Sequence, residues 1–553
     1  MKKSLLFAIG ALFVVIGALV VMNYFDVFSS NAPTPSEQKT EEGNTEKNQD
    51  DEKNKSEDSG NGGIADSQSF GTNVYEIGKN RENSKDLRET RESEEIDQRT
   101  LFDKTRRGVV AISVSVVLDK SVYNKSWAGT GFVADREKGL IVTNAHVAGE
   151  LTACSYEIKF GNGKKVEAKL EYLDPCYDFA ILHVNPDDIP QYVIPLKISN
   201  ENLSINTEIY SMGNSARNEF STYKGYVFDT ESILWLKPIA EQSFQFSGLT
   251  VPGASGSPVL NTKGEVVGLL YGGKFVSGAA LPISYVTPVI NSLRKGKRYH
   301  RYFYGLKINY GSIQDFISVG DIPEAALEEY EKAFPNSNDK ILYIARNLTA
   351  YGAKDTSFEP GDIIWKVDGE MIGPNLKRID EIVQAKEGKS ITITVYRKGK
   401  KLEINAPTYE MDNMNKMRML YFAGAVFCET PQEYKIVLGK SNTGVYVVSC
   451  DSGSAFKEVC LSEEEMDEVV PGAQIVAING KEINTLEDMV SEIPNLFHKT
   501  VFNIKFIRLC GDPQVSALTA KHSPEFAEAK LYTFDRDKKK WQIKIINNPK
   551  QAN

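Results

Sequence analysis

The amino-acid sequence predicts a mainly β protein. It should contain two β-barrels followed by two smaller α+β modules, with an N-terminal apolar helix and a disordered linker in front. Short apolar runs separated by Gly, Asn and Asp begin at Val109, in a rhythm typical of paired barrels and not of alternating βαβ units. Two later stretches each combine strand-like runs, a Pro-Gly turn and a helix-like segment. The 553 residues, 41% of them hydrophobic, can give each domain its own core.

We predict that residues 1–28 form a cytoplasmic stub and a transmembrane anchor. Lys2 and Lys3 precede an uncharged apolar run over 5–22, close to the roughly 20 residues that span a bilayer and longer than a typical signal-peptide core. Because basic residues stay on the cytoplasmic side, we expect a single-pass membrane protein whose folded part lies outside the cytoplasm, in the periplasm or an equivalent compartment. Secretion after signal cleavage is the alternative.

Residues 29–98 are predicted to be a disordered linker. Glu, Asp, Lys, Asn, Ser and Gly dominate this stretch, and its apolar residues are too few to offset the entropy of ordering the chain. A random coil of about 65 residues would have a root-mean-square reach of roughly 45 Å. The folded part could therefore move over a membrane surface.

Composition excludes several function classes. The formal net charge of -9 gives no general attraction to a phosphate backbone, so we expect no nucleic-acid partner. The sequence has no Walker loop and no HExxH run, and its histidines lack metal-ligand spacing, so neither a cofactor nor a metal site is expected. Six cysteines are too few for a disulfide scaffold, although a Cys154–Cys176 pair stays open in an oxidising compartment.

Three chemically distinct residues stand at the edges of β runs within 99–299. His146 follows the strand-like LIVTNA, Asp178 precedes the apolar FAILHV, and Ser255 lies in PGASGSPVL. An imidazole can remove the proton of a serine hydroxyl, while a carboxylate holds the imidazole in the right tautomer. A lone histidine is more often structural, but the three types in this order predict a nucleophilic serine hydrolase.

The small residues around Ser255 predict a site for a developing oxyanion. Gly253 lets the chain turn tightly and present its peptide N–H outward. The backbone N–H groups of Gly253 and Ser255 could then point at one place, each contributing about 3 kcal/mol to stabilising the negative charge.

These segments resemble the HtrA/Deg family of serine proteases, whose motifs are like TNAHV, DPxxDxAxL and GNSGGP and are followed by PDZ domains. The resemblance implies a chymotrypsin-like double β-barrel in which His146 is the general base, Asp178 orients it and Ser255 is the nucleophile. Ala254 replaces the usual Asn of the serine loop and Ser257 replaces a Gly. Neither change removes a catalytic group.

The resemblance also implies what the protein does. It predicts an ATP-independent serine endopeptidase that acts on unfolded or mislocalised proteins in protein quality control, as a homotrimer or a larger assembly. Runs such as YFAGAVF and GVYVVSCDSGSAF are most similar to the branch of eukaryotic nuclear HtrA proteases, and the predicted anchor does not fit that compartment. The alternative is a catalytically silent tethered chaperone or adaptor that contains PDZ domains.

The substrate pocket is predicted from positions relative to the nucleophile. Leu249, six residues before Ser255, would form the pocket floor and favour an apolar P1 residue, although it could equally point into the core. Tyr271 could narrow the pocket. Gly272 and Gly273 on the opposite wall would leave room for the substrate backbone to add as an extra strand.

The region 300–410 resembles a PDZ domain. The run PGDIIWKVDGE is a specific turn between strands, and a helix and a final hairpin follow it. The loop Tyr304, Gly305, Leu306 would bind a C-terminal carboxylate or an internal peptide through backbone amides. An ordinary β-turn is the alternative for this loop.

A second PDZ-like module is predicted over 411–548. It repeats the pattern with YFAGAVF at 421–427 and VVPGAQIVAINGKE further on, but an acidic insert over 462–470 interrupts it. Peptide binding is therefore doubtful in this copy, and we expect it to be an assembly or docking surface.

Overall fold

The structure is a computed structural model, and it divides the chain into two units, 1–98 and 99–553. It describes part of the second unit: residues 100–116, 126–149, 153–214, 220–234, 241–248, 250–274, 276–348, 357–411, 417–430, 444–451, 454–456, 473–497, 499, 501–508, 514–521 and 528–546. The predicted anchor and linker lie outside these residues. None of the helices within them is both long and apolar enough to cross a bilayer.

The first barrel consists of six antiparallel strands. They are β1 Val109–Val116, β2 Ser126–Asp135, β3 Leu140–Thr143, β4 Cys154–Phe160, β5 Lys165–Leu173 and β6 Ala180–His183. They close in the order β1-β2-β3-β6-β5-β4. β1 mixes buried and more exposed positions as a barrel wall does, whereas β3 is buried throughout. A one-turn helix, α1 Ala145–Ala148, leaves β3 and ends at Gly149 in the left-handed conformation.

The second barrel also has six strands. They are β7 Glu208–Gly213, β8 Ser221–Leu234, β9 Glu241–Ser247, β10 Pro258–Leu260, β11 Val266–Lys274 and β12 Ser277–Pro282. They close in the order β10-β11-β12-β9-β8-β7. Helix α2, Thr287–Arg294, follows and carries a proline in its first turn, where the missing N–H costs nothing. The two closed barrels confirm the predicted double-barrel fold.

The first α+β module follows the barrels. Its strands are β13 Arg301–Phe303, β14 Leu306–Ser312, β15 Lys340–Asn347, β16 Ile363–Val367, β17 Glu370–Met371, β18 Ile391–Arg397, β19 Lys400–Ala406 and β20 Tyr409–Met411, and its helices are α3 Ile313–Ser318, α4 Ala325–Ala333 and α5 Leu376–Ala385. The main sheet has the order β14-β15-β16-β18-β19, and β13 pairs with β20. Asn375 caps α5 by accepting a hydrogen bond from the Arg378 N–H at 3.1 Å.

The second α+β module has nine strands and one helix among its described residues. Its elements are β21 Arg418–Phe422, β22 Ala425–Glu429, β23 Val445–Cys450, β24 Ala473–Ile478, β25 Lys481–Glu482, α6 Leu486–Leu496, β26 Val501–Arg508, β27 Gln514–Lys521, β28 Ala529–Asp535 and β29 Lys540–Ile546. The sheet order is β27-β26-β24-β23-β22-β21-β28-β29, with β25 beside β24. Thr485 and Asp488 form a capping box at the start of α6.

The two modules differ at the strand after the glycine turn. In the first module, β14 pairs with β15 and with no other described strand. In the second, β22 pairs with β23 on one side and with β21 on the other. A tight turn with positive φ at Ala423 (52°) and Gly424 (77°) joins β21 to β22. The Arg418 guanidinium binds the Glu487 carboxylate of α6 at 2.7 and 3.0 Å, which fixes β21 beside that helix.

The barrels and the first module share one apolar core. A single cluster of buried residues includes Phe132 of the first barrel, Leu281 of the second and Ile344 of the first module. The second module has its own cluster around Phe427. It also touches the first barrel, where Phe534 joins the barrel core. The continuous core implies that the first module stabilises the barrels directly.

Candidate active site

His146 and Asp178 form a close pair in the first barrel. His146 lies on α1, immediately after β3, and Asp178 lies in the turn before β6, which is the neighbour of β3. The distance from His146 Nδ1 to Asp178 Oδ2 is 2.7 Å. The Asp178 side chain is 2% exposed and the His146 side chain 41%. A buried carboxylate thus contacts the Nδ1 edge of an imidazole ring that is partly exposed to solvent.

Both carboxylate oxygens of Asp178 have partners. Oδ1 accepts a hydrogen bond from the His146 backbone N–H at 2.9 Å, in addition to the Oδ2 contact with the ring. The Asn144 side-chain amide donates to the Asp178 carbonyl at 2.9 Å and joins the two turns. Since an ionised carboxylate only accepts, Nδ1 must carry the proton, and Nε2 is left as the basic nitrogen.

The serine loop of the second barrel is attached to strand β2 of the first. The Thr130 N–H donates to the Ser255 carbonyl and the Thr130 hydroxyl donates to the Gly253 carbonyl, both at 2.8 Å. The Asn214 N–H donates in turn to the Thr130 hydroxyl at 2.9 Å. The loop position is therefore set by both barrels together.

Close packing at Gly256 places the serine loop against the strand end that leads to His146. Gly256 has a φ of 87°, and a Cβ at this residue would lie 1.9 Å from the Thr130 carbonyl oxygen and 2.6 Å from Thr143 Oγ1. Thr143 is the last residue of β3, three residues before His146. Only glycine allows this approach.

The predicted oxyanion donors are available. Gly253 has a φ of 91°, and the loop closes through bonds from the Ala254 N–H to the Val251 carbonyl and from the Ser257 N–H to the Ala254 carbonyl, at 3.1 and 3.0 Å. The N–H groups of Gly253 and Ser255 donate to no other described residue. The role of these two N–H groups in binding an oxyanion stays a prediction.

The Ser255 hydroxyl and His146 are not hydrogen-bonded to each other in the part of the chain that the structure describes. The structure thus brings His146 and Asp178 into direct contact and brings the Ser255 loop to the adjacent strand end. Catalytic hydrogen bonds are often long without substrate and shorten in the complex. The three catalytic assignments stay predictions.

The predicted pocket residues are only partly described. Leu249 lies outside the described residues, and Tyr271 is buried in the shared core. Gly272 and Gly273 lie on β11, opposite Ala279 and Gly278 of β12. A Cβ at Gly273 would lie 2.1 Å from the Ser277 carbonyl oxygen, so this wall has no space for a side chain.

The predicted peptide-binding loop of the first module faces the core. Tyr304 and Leu306 are buried in the shared cluster, and Gly305 has a φ of 72°. The Gly305 carbonyl accepts a hydrogen bond from the Leu348 N–H at 2.8 Å. The loop therefore anchors the start of β14, and its role in peptide binding stays a prediction.

Sequence reasoning missed several residues that shape this site. Thr130 and Asn214 hold the serine loop although nothing in their types suggests a role, and only their spatial position reveals it. Asn144, directly before the histidine helix, could have been noticed as a candidate cap. Cys154 and Cys176 are buried, and no disulfide bond joins the pair considered from sequence. Burial raises the pKa of Cys154 to about 12.

The comparisons first identify the classes of domain. Residues 129–269 match the trypsin-like peptidase domain family, and residues 337–408 match the PDZ domain family. The first match contains His146, Asp178 and Ser255. These matches confirm the predicted serine peptidase domain and one predicted PDZ domain.

Particular relatives are fungal proteins named pro-apoptotic serine protease NMA111. The chain is 28% identical over 387 residues to the Chaetomium globosum protein, which covers 67% of this chain and 35% of the relative. It is 27% identical over 478 residues to the Phaeosphaeria nodorum protein, which covers 82% of this chain and 45% of the relative. The chain thus spans less than half the length of these relatives.

Solved structures show a more distant likeness. The HtrA-type protease AlgW with a tripeptide is 18% identical with a TM-score of 0.44, and the alignment covers 57% of this chain and 98% of that chain. The active form of the Rv3671c protease from M. tuberculosis is 22% identical with a TM-score of 0.29 over 34% of this chain and 82% of that chain. Structural similarity this low adds no support to the assignment of a peptidase domain and a PDZ domain.

The predicted location outside the cytoplasm, whether anchored or secreted, is contradicted. The finding that contradicts it is the similarity to fungal proteins named pro-apoptotic serine protease NMA111. The prediction rested on the apolar run over 5–22 and on Lys2 and Lys3 before it. Length and apolarity decide whether a segment can enter a bilayer, but they do not report which compartment holds the folded part. The finer resemblance to the nuclear branch stays a prediction.

Proposed function

We propose that this chain is an ATP-independent serine endopeptidase that works through an acyl-enzyme. The observation that carries the proposal is the 2.7 Å contact between the His146 ring and the buried Asp178 carboxylate, beside a serine loop fixed by Thr130. Burying the Asp178 carboxylate costs free energy unless it is hydrogen-bonded, and a buried carboxylate paired with an accessible imidazole is typical of a functional site.

In the proposed mechanism, His146 Nε2 removes the proton from Ser255 Oγ as that oxygen attacks the scissile carbonyl. Asp178 stabilises the imidazolium that forms and keeps its ring orientation. The N–H groups of Gly253 and Ser255 stabilise the oxyanion, each by about 3 kcal/mol. His146 then protonates the leaving amine as the peptide C–N bond breaks. In the second half, His146 removes a proton from water as it attacks the acyl-enzyme and returns that proton to Ser255 Oγ as the ester bond breaks and the acid product leaves.

We further propose that unfolded or mislocalised proteins are the substrates and that the active form is a homotrimer or a larger assembly. The proposed domain bounds are 99–299 for the peptidase, 300–410 for the first PDZ-like domain and 411–548 for the second. The first module is proposed to bind C-terminal or internal peptides. The single pairing of β14 among the described strands supports this, because peptides add to such edges.

A chaperone or adaptor without catalysis is the second candidate. The specific observation in its favour is that the serine loop carries Ala254 and Ser257 where the HtrA/Deg motif has Asn and Gly. Such a protein would bind unfolded chains without cleaving them.

Degradation of casein separates the two candidates. We expect the wild-type chain to cleave casein without ATP and the Ser255→Ala variant to lose cleavage by at least about 1,000-fold, because the nucleophile is gone. Ser155→Ala, at an exposed position of β4, is the matched control and should retain full activity. Casein that is bound but left intact by the wild type would support the adaptor instead.

A further inference from the structure

A second buried carboxylate, Asp174, builds the turn that carries Asp178. Asp174 Oδ1 accepts hydrogen bonds from the backbone N–H groups of Cys176 and Tyr177, both at 2.9 Å. The Asp174 N–H donates to the Phe179 carbonyl at 3.1 Å. These bonds close the chain on both sides of Asp178, so the place of the catalytic carboxylate depends on Asp174.

Arg301 of the first module binds Asp174 inside the protein. Arg301 Nε and Nη2 lie 3.0 and 2.7 Å from Asp174 Oδ2, and the Arg301 side chain is 1% exposed. The guanidinium also stacks 4.9 Å from the centre of the Tyr177 ring. Arg301 belongs to β13, so this ion pair joins the first module to the turn that carries Asp178.

Helix α5 of the first module completes the network. Asp380 on this helix accepts a hydrogen bond from the Tyr177 hydroxyl at 2.7 Å and lies 3.2 Å from Arg301 Nη1. Gln384, one turn further, donates to Asp380 at 3.0 Å and binds both the N–H and the carbonyl of Tyr302. Tyr177 directly precedes Asp178 in the chain, so α5 holds the residue next to Asp178.

We propose that Tyr177, Arg301 and Asp380 are positioning residues for Asp178, so that the first module is part of the catalytic machinery. This inference rests on the proposed peptidase function. Breaking a buried ion pair leaves a charge without compensation, so the turn and the module stay together in the folded state. Loss of one contact in the network changes where the Asp178 carboxylate meets the His146 ring, and small displacements of catalytic groups have large effects on rate.

The test removes one hydroxyl group. We expect Tyr177→Phe to lower kcat about tenfold with a less than twofold change in KM, because the interaction acts on catalysis and not on substrate binding. Tyr330→Phe is the matched control: it removes the hydroxyl of a buried tyrosine on α4 of the first module, one that donates to the Lys340 carbonyl. The control should keep the wild-type kcat.

A proton NMR measurement provides a readout that does not need turnover. The Nδ1 proton of His146, held by Asp178, should give a low-field signal, which His146→Gln assigns among the five histidines. We expect Tyr177→Phe to shift or broaden this signal and Tyr330→Phe to leave it unchanged. If the wild type cleaves nothing, the proposed function fails, and this signal alone decides the positioning role.

Identical signals and identical kcat in Tyr177→Phe and wild type would overturn the proposal. If Tyr177→Phe does not fold, Asp380→Asn is measured in the same way. It keeps the side-chain shape and an acceptor for Tyr177 but removes the charge beside Arg301. A wild-type signal in the folded Asp380→Asn variant would likewise overturn the proposal, and a shifted signal with lowered kcat would support it.

Discussion

At the scale of single residues, the candidate site depends on groups that are held on more than one side. Asp178 is bound by the His146 ring and by the His146 backbone N–H, and Thr130 bonds two carbonyls of the serine loop. Each contact removes a freedom that the side chain or loop would otherwise have. Preorganisation of this kind lets a site act without reorganising during the reaction.

Gly256→Ala tests how closely the serine loop must pack. The new Cβ would lie 1.9 Å from the Thr130 carbonyl oxygen, at a φ of 87°, so the loop must move and activity should fall at least about 100-fold. Gly163→Ala is the control, since its φ of 85° is similar and nothing lies within 4 Å of the Cβ position. The control should lose only about 1 kcal/mol of stability and keep its activity. Equal activity in the two variants would contradict the packing argument.

Glu231 on β8 predicts a pH dependence of stability. Burial raises its pKa to about 7 from an ordinary value of 4.5, although the Lys340 ammonium opposes the rise and the Asp229 carboxylate adds to it. Between these values the folded protein keeps a proton that the unfolded chain has lost. The contribution of Glu231 to the free energy of unfolding therefore falls as pH rises from about 4.5 to about 7 and is level above that.

Glu231→Gln removes this titration. We expect the melting temperature of the variant, relative to wild type, to rise between pH 5 and pH 8. Glu403→Gln, on an exposed position of β19, should show a constant difference over the same range. A constant difference for Glu231→Gln, measured by thermal unfolding at several pH values, would refute the prediction.

The residues of the site were predictable to different degrees. His146, Asp178 and Ser255 could be proposed from the sequence. Each stands at the edge of an apolar run, and their imidazole, carboxyl and hydroxyl groups together suggest nucleophilic catalysis. Thr130 could not, because its role comes from contacts with a loop more than 120 positions later. Arg301 could not either, since an arginine in a strand is usually exposed, and only the fold shows that it reaches Asp174.

At the scale of elements, short apolar runs separated by Gly, Asn and Asp predicted a pair of β-barrels, and the structure contains two closed barrels. The pairing partners of β21 were not predictable in the same way. A strand sequence indicates which face is buried, but its edge partners depend on segments such as β28 that come later in the chain. That pairing decides whether the second module has a free edge.

Peptide binding should therefore differ between the modules. Adding a peptide with an apolar residue and a free carboxylate at its C-terminus should slow amide hydrogen exchange in β14, and exchange in β22 should not change. The reason is that β22 already pairs on both edges, whereas β14 pairs with β15 alone among the described strands. Mass spectrometry of peptic fragments measures both strands in one sample. New protection in β22 without any in β14 would reverse the assignment.

At the scale of the whole molecule, the barrels and the first module belong to one folding unit. The sequence analysis placed a domain boundary at residue 300, and the structure shows that the apolar core and the Arg301 ion pairs continue across it. Sequence patterns indicate where one domain ends and the next begins, but they do not indicate which surfaces of the two domains pack against each other.

A truncated chain tests this unity. A fragment of residues 99–299 lacks Arg301 and leaves Asp174 buried without its cation, which should cost roughly 3–5 kcal/mol besides the exposed apolar surface. A fragment of residues 99–411 keeps the shared core and should melt in one transition at a clearly higher temperature. Calorimetry of the two fragments measures the difference. Equal melting temperatures would show that the first module contributes nothing to the barrels.

The central claim is that folding makes Ser255 a nucleophile activated by His146. The most direct measurement is reaction with a fluorophosphonate probe, followed by mass spectrometry to locate the adduct. The account predicts one adduct on Ser255 in the wild-type chain, far slower labelling in His146→Ala and none in Ser255→Ala. An adduct elsewhere, or labelling of Ser255 at the same rate with and without His146, would contradict it.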